Sequence, residues 1–307
     1  MQTILGAGGA ISMELVKELA KTGQSVRLVS RTPKMVQGAA ETVAADILDP
    51  GQAIRAVSGS TVVYLLIGLK YDGKVWRDQW PRIMSNVIEA CKRSNAKLIF
   101  FDNVYMYGKV SGLMTEETQF NPCSKKGEIR AQIATTLLDE VNAGKINAII
   151  ARSADFYGPY VKNSLANVLV FDKLSKRSTA LWLVNDSVRH SYTYTPDAAR
   201  SLALLANAES AWNQTWHVPT ESSPPTGAEF IQMAAKAFGG KPKHRVLGRT
   251  LVRIAGLFDS NIREIYEMLY QNDSEYLFDS TKFTQAFNFQ PTSYADGIQF
   301  TAAAYAG

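Results

Sequence analysis

The chain has 307 residues, 46% of them hydrophobic and 20% charged, with 33 Lys and Arg against 28 Asp and Glu for a formal net charge of +5. That length holds one full-size domain and a second beside it, the composition is that of an ordinary soluble globular protein, and the positive charge is scattered, which argues against a nucleic-acid ligand and leaves anionic small molecules as the milder reading. Two cysteines, Cys91 and Cys123, are too few for a disulfide scaffold and lack metal-ligand spacing, and no apolar run reaches transmembrane length, so the expectations are no metal, no nucleic acid, no membrane and a cytoplasmic setting.

Residues 3–5 predict a first strand, and Gly6-Ala7-Gly8-Gly9-Ala10-Ile11-Ser12 follows it directly. That loop opens a helix whose apolar face carries Ile11, Leu15 and Leu19. Further strands are predicted at 26–30, 61–66, 97–101 and 147–151. Between them lie helical patterns on Ile83, Val87 and Cys91, and on Ile129, Ile133, Leu137 and Val141. Alternation of this kind predicts an α/β fold with a parallel sheet covered on both faces. Further on, Thr195-Pro196 has the pattern of an N-cap followed by proline in the first turn, with Leu202 and Leu205 on the helix behind it. Residues 214–218 read as a strand and 219–227 as a Pro- and Ser-rich linker. Thr226 and Glu229 have capping-box spacing ahead of Phe230 and Met233. From Gly239 onward the chain reads as helices and loops, and its aromatics (Tyr266, Tyr270, Tyr276, Phe278, Phe283, Phe287 and Phe289) read more readily as core than as a ligand box. The expected division is a nucleotide-binding domain over 1–158, with 185–218 returning to it, and a smaller substrate lobe over 159–184 and 219–307.

The glycine loop lies between a strand and a helix, which matters more than the glycine count. Gly6, Gly8 and Gly9 allow positive φ and let backbone N–H groups approach a pyrophosphate. Ala10 and Ile11 open a helix whose N-terminus adds its positive dipole end. Ser12 takes the place of a third small residue. This is the fingerprint of a Rossmann-type doubly wound sheet that binds a dinucleotide. The second strand ends in Ser30-Arg31, without the acidic residue that would hold a ribose 2′-OH. A guanidinium at Arg31 pairs with a 2′-phosphate through two parallel hydrogen bonds, and Lys34 adds charge, so NADP(H) is the preferred cofactor and NAD(H) the alternative.

With Gly6–Ser12, Ala45-Asp46-Ile47, Met106-Tyr107-Gly108, the stretch from Arg152 to Tyr157-Gly158-Pro159 and the stretch from Arg189 to Tyr194-Thr195-Pro196-Asp197, the chain resembles the extended and atypical short-chain dehydrogenases, the epimerase/dehydratase-like branch. The resemblance covers nearly its whole length. It implies that Asp46, with Ile47 beside it, meets the adenine. It implies that Ile67 and Gly68 line the ribose and nicotinamide side, and that Asp155, Phe156 and Tyr157 pass near the nicotinamide. Set against these are a loop aspartate capping its own turn, for Asp46, and an aromatic in the core, for Tyr157.

That family uses a tyrosine and a lysine four residues apart on one helix, plus a Ser or Thr after the fifth strand. The lysine lowers the tyrosine pKa so that the phenol exchanges a proton during hydride transfer. In the matching segment Lys126 stands at the tyrosine position, Arg130 at the lysine position, and Asn103 at the Ser/Thr position. Tyr105 and Lys109 share the right spacing, but Gly108 lies between them in a loop, which makes chance the better explanation. Lys126 and Arg130 are like charges one helical turn apart near a helix N-terminus, an arrangement that a bound anion would relieve if both entered a cleft. The alternative is that both reach solvent. The function expected is an NADP(H)-binding oxidoreductase or epimerase, a monomer or homodimer, acting on a carbonyl or sugar-type small molecule, an anionic one suiting the two cations. Asn103, Lys126 and Arg130 replace the usual set. The alternatives are a non-catalytic NADP(H)-responsive binding protein, or a structural protein with a vestigial nucleotide site.

Overall fold

Short aliphatic and β-branched runs become the strands of one parallel sheet. β1 (Gln2–Leu5), β2 (Val26–Ser30), β3 (Glu41–Ala44), β4 (Val62–Leu65) and β5 (Lys97–Asp102) lie in the order 3-2-1-4-5. Ala148–Arg152 and then Thr215–His217 extend the sheet beyond β5. Every adjacent pair is parallel. β1 and β4 are buried at every residue, as strands covered on both faces must be. β3 escapes the sequence reading because it is an edge strand with half-exposed Glu41 and Thr42, and so lacks an apolar run.

The helices bury the faces their periodicity predicts. α1 (Ala10–Lys21) buries Ile11, Leu15 and Leu19. α2 (Pro50–Val57) starts at Asp49, whose carboxylate accepts the Gln52 N–H, with proline in the first turn. α3 (Gly73–Ser94) buries Ile83, Val87 and Cys91. α4 (Lys125–Asn142) buries Ile129, Ile133 and Leu137. Asp72 caps α3 by accepting the Val75 and Lys74 N–H groups, and these bonds hold its carboxyl below the usual carboxylate range.

The structure, a computed structural model, describes residues 1–305, and two units emerge from it. The first comprises Met1–Met106, Lys126–Ser153 and Ala198–Val218 and contains the whole seven-stranded sheet. It is the doubly wound Rossmann-type sheet expected from the sequence. The second comprises Tyr107–Lys125, Ala154–Asp197 and the chain from Pro219 onward. It is built on three two-stranded parallel ladders: Asp155–Tyr157 with Tyr192–Tyr194, Ala180–Leu183 with His244–Leu247, and Leu113–Met114 with Leu277–Phe278. Its core gathers Tyr157, Phe171, Trp182, Tyr192, Phe230 and Tyr294.

The capping box at Thr226 and Glu229 is present as predicted. The expected cap at Thr195 is not: the helix Thr195–Asn207 includes that residue, and its hydroxyl is buried without a hydrogen-bond partner among the described residues. The strand His244–Leu247 also departs from the expectation of helix and loop, because its pairing partner lies some sixty residues upstream, beyond any local signal.

Burial also separates the two thiols. Cys91 is sealed under α3, which pushes its thiol up to about 12, whereas Cys123 is exposed. Titration of the native protein with a thiol-specific disulfide reagent is therefore expected to consume one equivalent, with the second released only on unfolding. Two rapidly reacting thiols in the native state would contradict the packing of α3.

Candidate nucleotide and catalytic site

The sheet order reverses at β1 and β4: β2 and β3 lie on one side, β5 and the later strands on the other. A crevice outside the carboxyl ends of the strands forms at such a point, and the glycine loop leaves β1 there. Gly6 has φ +108° and Gly8 φ +96°, conformations that L side chains rarely adopt. They serve different ends. A Cβ on Gly6 would stand 2.6 Å from the Leu66 carbonyl carbon and oxygen, so this glycine lets the loop press against the chain leaving β4. A Cβ on Gly8 would meet nothing within 4 Å among the described residues, so that side of the loop is open space. Gly9 is the N-cap of α1 and supplies no side-chain cap. The Ser12 hydroxyl donates to the Gly9 carbonyl at 2.7 Å, which fits serine into the third small-residue position. Ala10 is half-buried and Ile11 buried, and the first turn of α1 has no acidic residue to compete with an anion.

Arg31 and Lys34 are exposed just beyond β2. Asp46 is half-buried, and its carboxylate accepts the Leu48 N–H at 3.0 Å, so it does cap its own turn. Ile47 is buried and its carbonyl accepts from the Asn86 amide. Ile67 is half-buried and Gly68 exposed, both on the loop that receives Gly6.

Asn103, Lys126 and Arg130 are not exposed. Lys126 and Arg130 are both buried on α4, which overturns the solvent-exposed alternative for the pair. Their positive charges are met separately. Arg130 donates through Nε at 2.7 Å, and through Nη2, to the same carboxylate oxygen of Asp102 at the end of β5. Its guanidinium also lies 4.4 Å from the Trp80 ring centre, 5.0 Å from Phe100 and 5.7 Å from Trp76. The Lys126 ammonium stands 4.6 Å over the Tyr71 ring. Asn103, half-buried, donates its N–H to Asp102 at 2.8 Å and accepts the Tyr105 N–H at its side-chain oxygen at 3.0 Å. With that oxygen used, the amide nitrogen is its donor end. Tyr105 opens a short 3-10 turn and Lys109 pairs with Asp273, so no helix brings those two together.

The profile of one protein family, described as the NAD dependent epimerase/dehydratase family, matches residues 3–218. The chain belongs to that family. None of the proteins with curated descriptions matches its sequence. Among solved structures, it superposes on the UDP-glucose 4-epimerase of Thermus thermophilus, described in complex with NAD, with a TM-score of 0.80 at 17% identity, covering 100% of this chain and 99% of that one. For the UDP-N-acetylglucosamine 4-epimerase of Bacillus cereus the TM-score is 0.79 at 17% identity, covering 100% and 96%. For a double mutant of DesIV, a dTDP-glucose 4,6-dehydratase of Streptomyces venezuelae, it is 0.81 at 17% identity, covering 100% and 97%. At this identity the likeness speaks for the fold.

In this epimerase/dehydratase-family chain, the residues that resemblance places near the nicotinamide belong to the second unit. Tyr157 is buried in that unit's core against Phe171, Tyr194, Phe230 and Tyr294, so its side chain packs there as the core alternative had it. Phe156 is half-buried. Asp155 is half-buried and pairs at 3.0 Å with buried His190, which stacks on Tyr276 and lies tilted against Tyr192. The sequence reading missed Asp102, Tyr71 and His190, and weighed Tyr105 only for its spacing from Lys109. Tyr71 and Tyr105 bring their hydroxyls to 3.5 Å around Trp76, which Tyr105 stacks on and Tyr71 meets edge-on. The Trp76 and Trp80 pair, one helical turn apart, was the one available signal that α3 carries an aromatic wall.

Proposed function

We propose that this chain is a nicotinamide-dinucleotide-dependent oxidoreductase or epimerase acting on a small carbonyl or sugar-type molecule. The observation that carries the reading is the loop from Gly6 to Gly9: positive φ at two glycines, open space over Gly8, and the bare N-terminus of α1 at the switch point of the sheet. Such a cradle fits a pyrophosphate. Gly6, Gly8, Gly9, Ala10 and Ile11 would hold it by backbone N–H groups and the helix dipole. Asp46 and Ile47 would face the adenine, and Ile67 and Gly68 the ribose beyond. The solved relatives quoted above with a cofactor are described with NAD. NADP(H) preference in this chain rests on Arg31 and on the lack of an acid at the end of β2.

A bound nicotinamide supplies hydride chemistry. The chain's own part is to orient the substrate and move a proton. The Asn103 amide nitrogen would hold the substrate carbonyl, and Lys126 Nζ would give or take the proton at its oxygen. The Tyr71 ring lies under that ammonium, and its hydroxyl meets that of Tyr105. Arg130 is assigned a positioning role. Its bond to Asp102 pins α4 to the end of β5, and Lys126 lies one turn away on the same helix. Lys126 favours an anionic substrate.

In an assay of NADPH oxidation against acidic and sugar-derived carbonyl compounds, Lys126→Met is expected to lose about 10²-fold or more in kcat while binding nucleotide normally. Turnover unchanged in that variant would remove the proton role. A second reading, a non-catalytic nucleotide-responsive protein, is favoured by the full burial of Lys126 and by the change at all three positions the family uses. Nucleotide binding without exchange on any carbonyl would select it.

A further inference from the structure

The helix Arg249–Phe258 in the second unit buries Val252 and Gly256 and leaves a second apolar stripe bare. Leu251 and Ile254 are each 51% exposed, Leu257 73% and Phe258 87%. Their spacings of three and four residues place them on one side of the helix, forming a continuous apolar strip of a kind soluble surfaces seldom leave open. The chain on either side of the strip is rich in cations. Arg253 lies on the same helix, Arg263 on the next, and Lys241, Lys243 and Arg245 just upstream in the sequence, all exposed. From Gly239 to Glu264 the acidic residues are Asp259, which accepts the Asn261 N–H as the cap of the next helix, and the half-buried Glu264, against five Lys and Arg besides Arg249. Arg249 is engaged with Asp273 and does not add to this count.

We infer that this face docks on an anionic lipid bilayer, with Leu257 and Phe258 at the boundary between headgroups and acyl chains and the surrounding cations on lipid phosphates. An amphipathic helix with apolar residues on one side and Lys or Arg flanking them binds in this way. Charge selects the occupant. A second copy would bring two basic rims together, whereas an acidic surface neutralises one. The contact is peripheral, since no helix among the described residues is long and apolar enough to cross a membrane. It goes beyond the sequence-level expectation of no membrane partner, which rested on the lack of an apolar run of transmembrane length.

The test is co-sedimentation of the full chain with vesicles of phosphatidylcholine alone, and with about a third phosphatidylglycerol. Binding to the anionic vesicles is expected to be about tenfold or more the stronger and to fall with added salt. The double variant Leu257→Ser/Phe258→Ser should lose that binding with an unchanged melting temperature, since both side chains are exposed. Equal binding to the two vesicle types, none to either, or full binding by the double variant would overturn the proposal. So would a dimer in sedimentation equilibrium that the same variant splits, because the strip would then belong to a second copy.

Discussion

Arg130→Met is expected to lower the stability of the protein by about 3–5 kcal/mol, read as a shift of the urea unfolding midpoint. The side chain gives Nε and Nη2 to a single oxygen of Asp102, and the Asn103 N–H bonds to that same oxygen. The other Asp102 oxygen is buried with no hydrogen-bond partner among the described residues. Removing the guanidinium therefore strands a carboxylate in a wall of Trp76, Trp80 and Phe100, where water cannot replace the lost partner. Asp102→Leu leaves the converse charge unpaired and should cost a similar amount. The double variant Arg130→Met/Asp102→Leu should be more stable than either single one, because two apolar groups leave no buried charge. A double variant as unstable as the sum of the singles would show that the pair is held by packing rather than by charge. The same experiment bears on function. If Arg130 positions α4, the double variant should fold yet place Lys126 less well.

Gly6→Ala and Gly8→Ala should differ sharply although both change one glycine to alanine in the same loop. At Gly6 the new Cβ would fall 2.6 Å from two backbone atoms of Leu66 and 2.7 Å from the Ile67 nitrogen, in a conformation with φ +108°. Backbone cannot yield there without parting β1 from β4, and the two penalties add. A loss of about 3 kcal/mol or more is expected, enough to make the variant hard to produce folded. At Gly8 only the backbone strain at φ +96° applies, because no atom lies within 4 Å. That costs about 1–3 kcal/mol and leaves a folded protein. The methyl group would then occupy the space proposed for the pyrophosphate, so Gly8→Ala should fold and bind nucleotide poorly. A Gly8→Ala variant with normal nucleotide affinity would place the ligand elsewhere.

Much of the first unit was legible because its signals are local. β1, β2 and β5 announce themselves as apolar runs, the glycine loop lies in the required strand-to-helix context, and α1, α3 and α4 carry their buried residues at helical spacing. Asn103, Lys126 and Arg130, which the proposal assigns to the family's catalytic positions, could also be found by counting. Their environment could not. The aromatics around Arg130 come from α3 and β5, and its partner Asp102 looked like an ordinary strand-end residue, so whether the two cations faced solvent was undecidable from spacing. The second unit was harder still. Leu113–Met114 finds its partner at Leu277–Phe278, and two-residue ladders leave no periodicity to read. Tyr107–Lys125 and residues 185–197 group with that unit through such distant contacts, where reading along the chain had attached them to the sheet.

The most direct test of the central claim is a calorimetric titration of NADPH, NADP⁺, NADH and NAD⁺ into the wild-type protein, with Arg31→Ala and Gly8→Ala alongside. The account predicts saturable binding at one site per chain. The phosphorylated nucleotides should be favoured in the wild type, that preference should be lost in Arg31→Ala, and all four should be weakened in Gly8→Ala. Retained NADP preference in Arg31→Ala would contradict the role of that arginine, and no heat from any of the four nucleotides would contradict the nucleotide site itself.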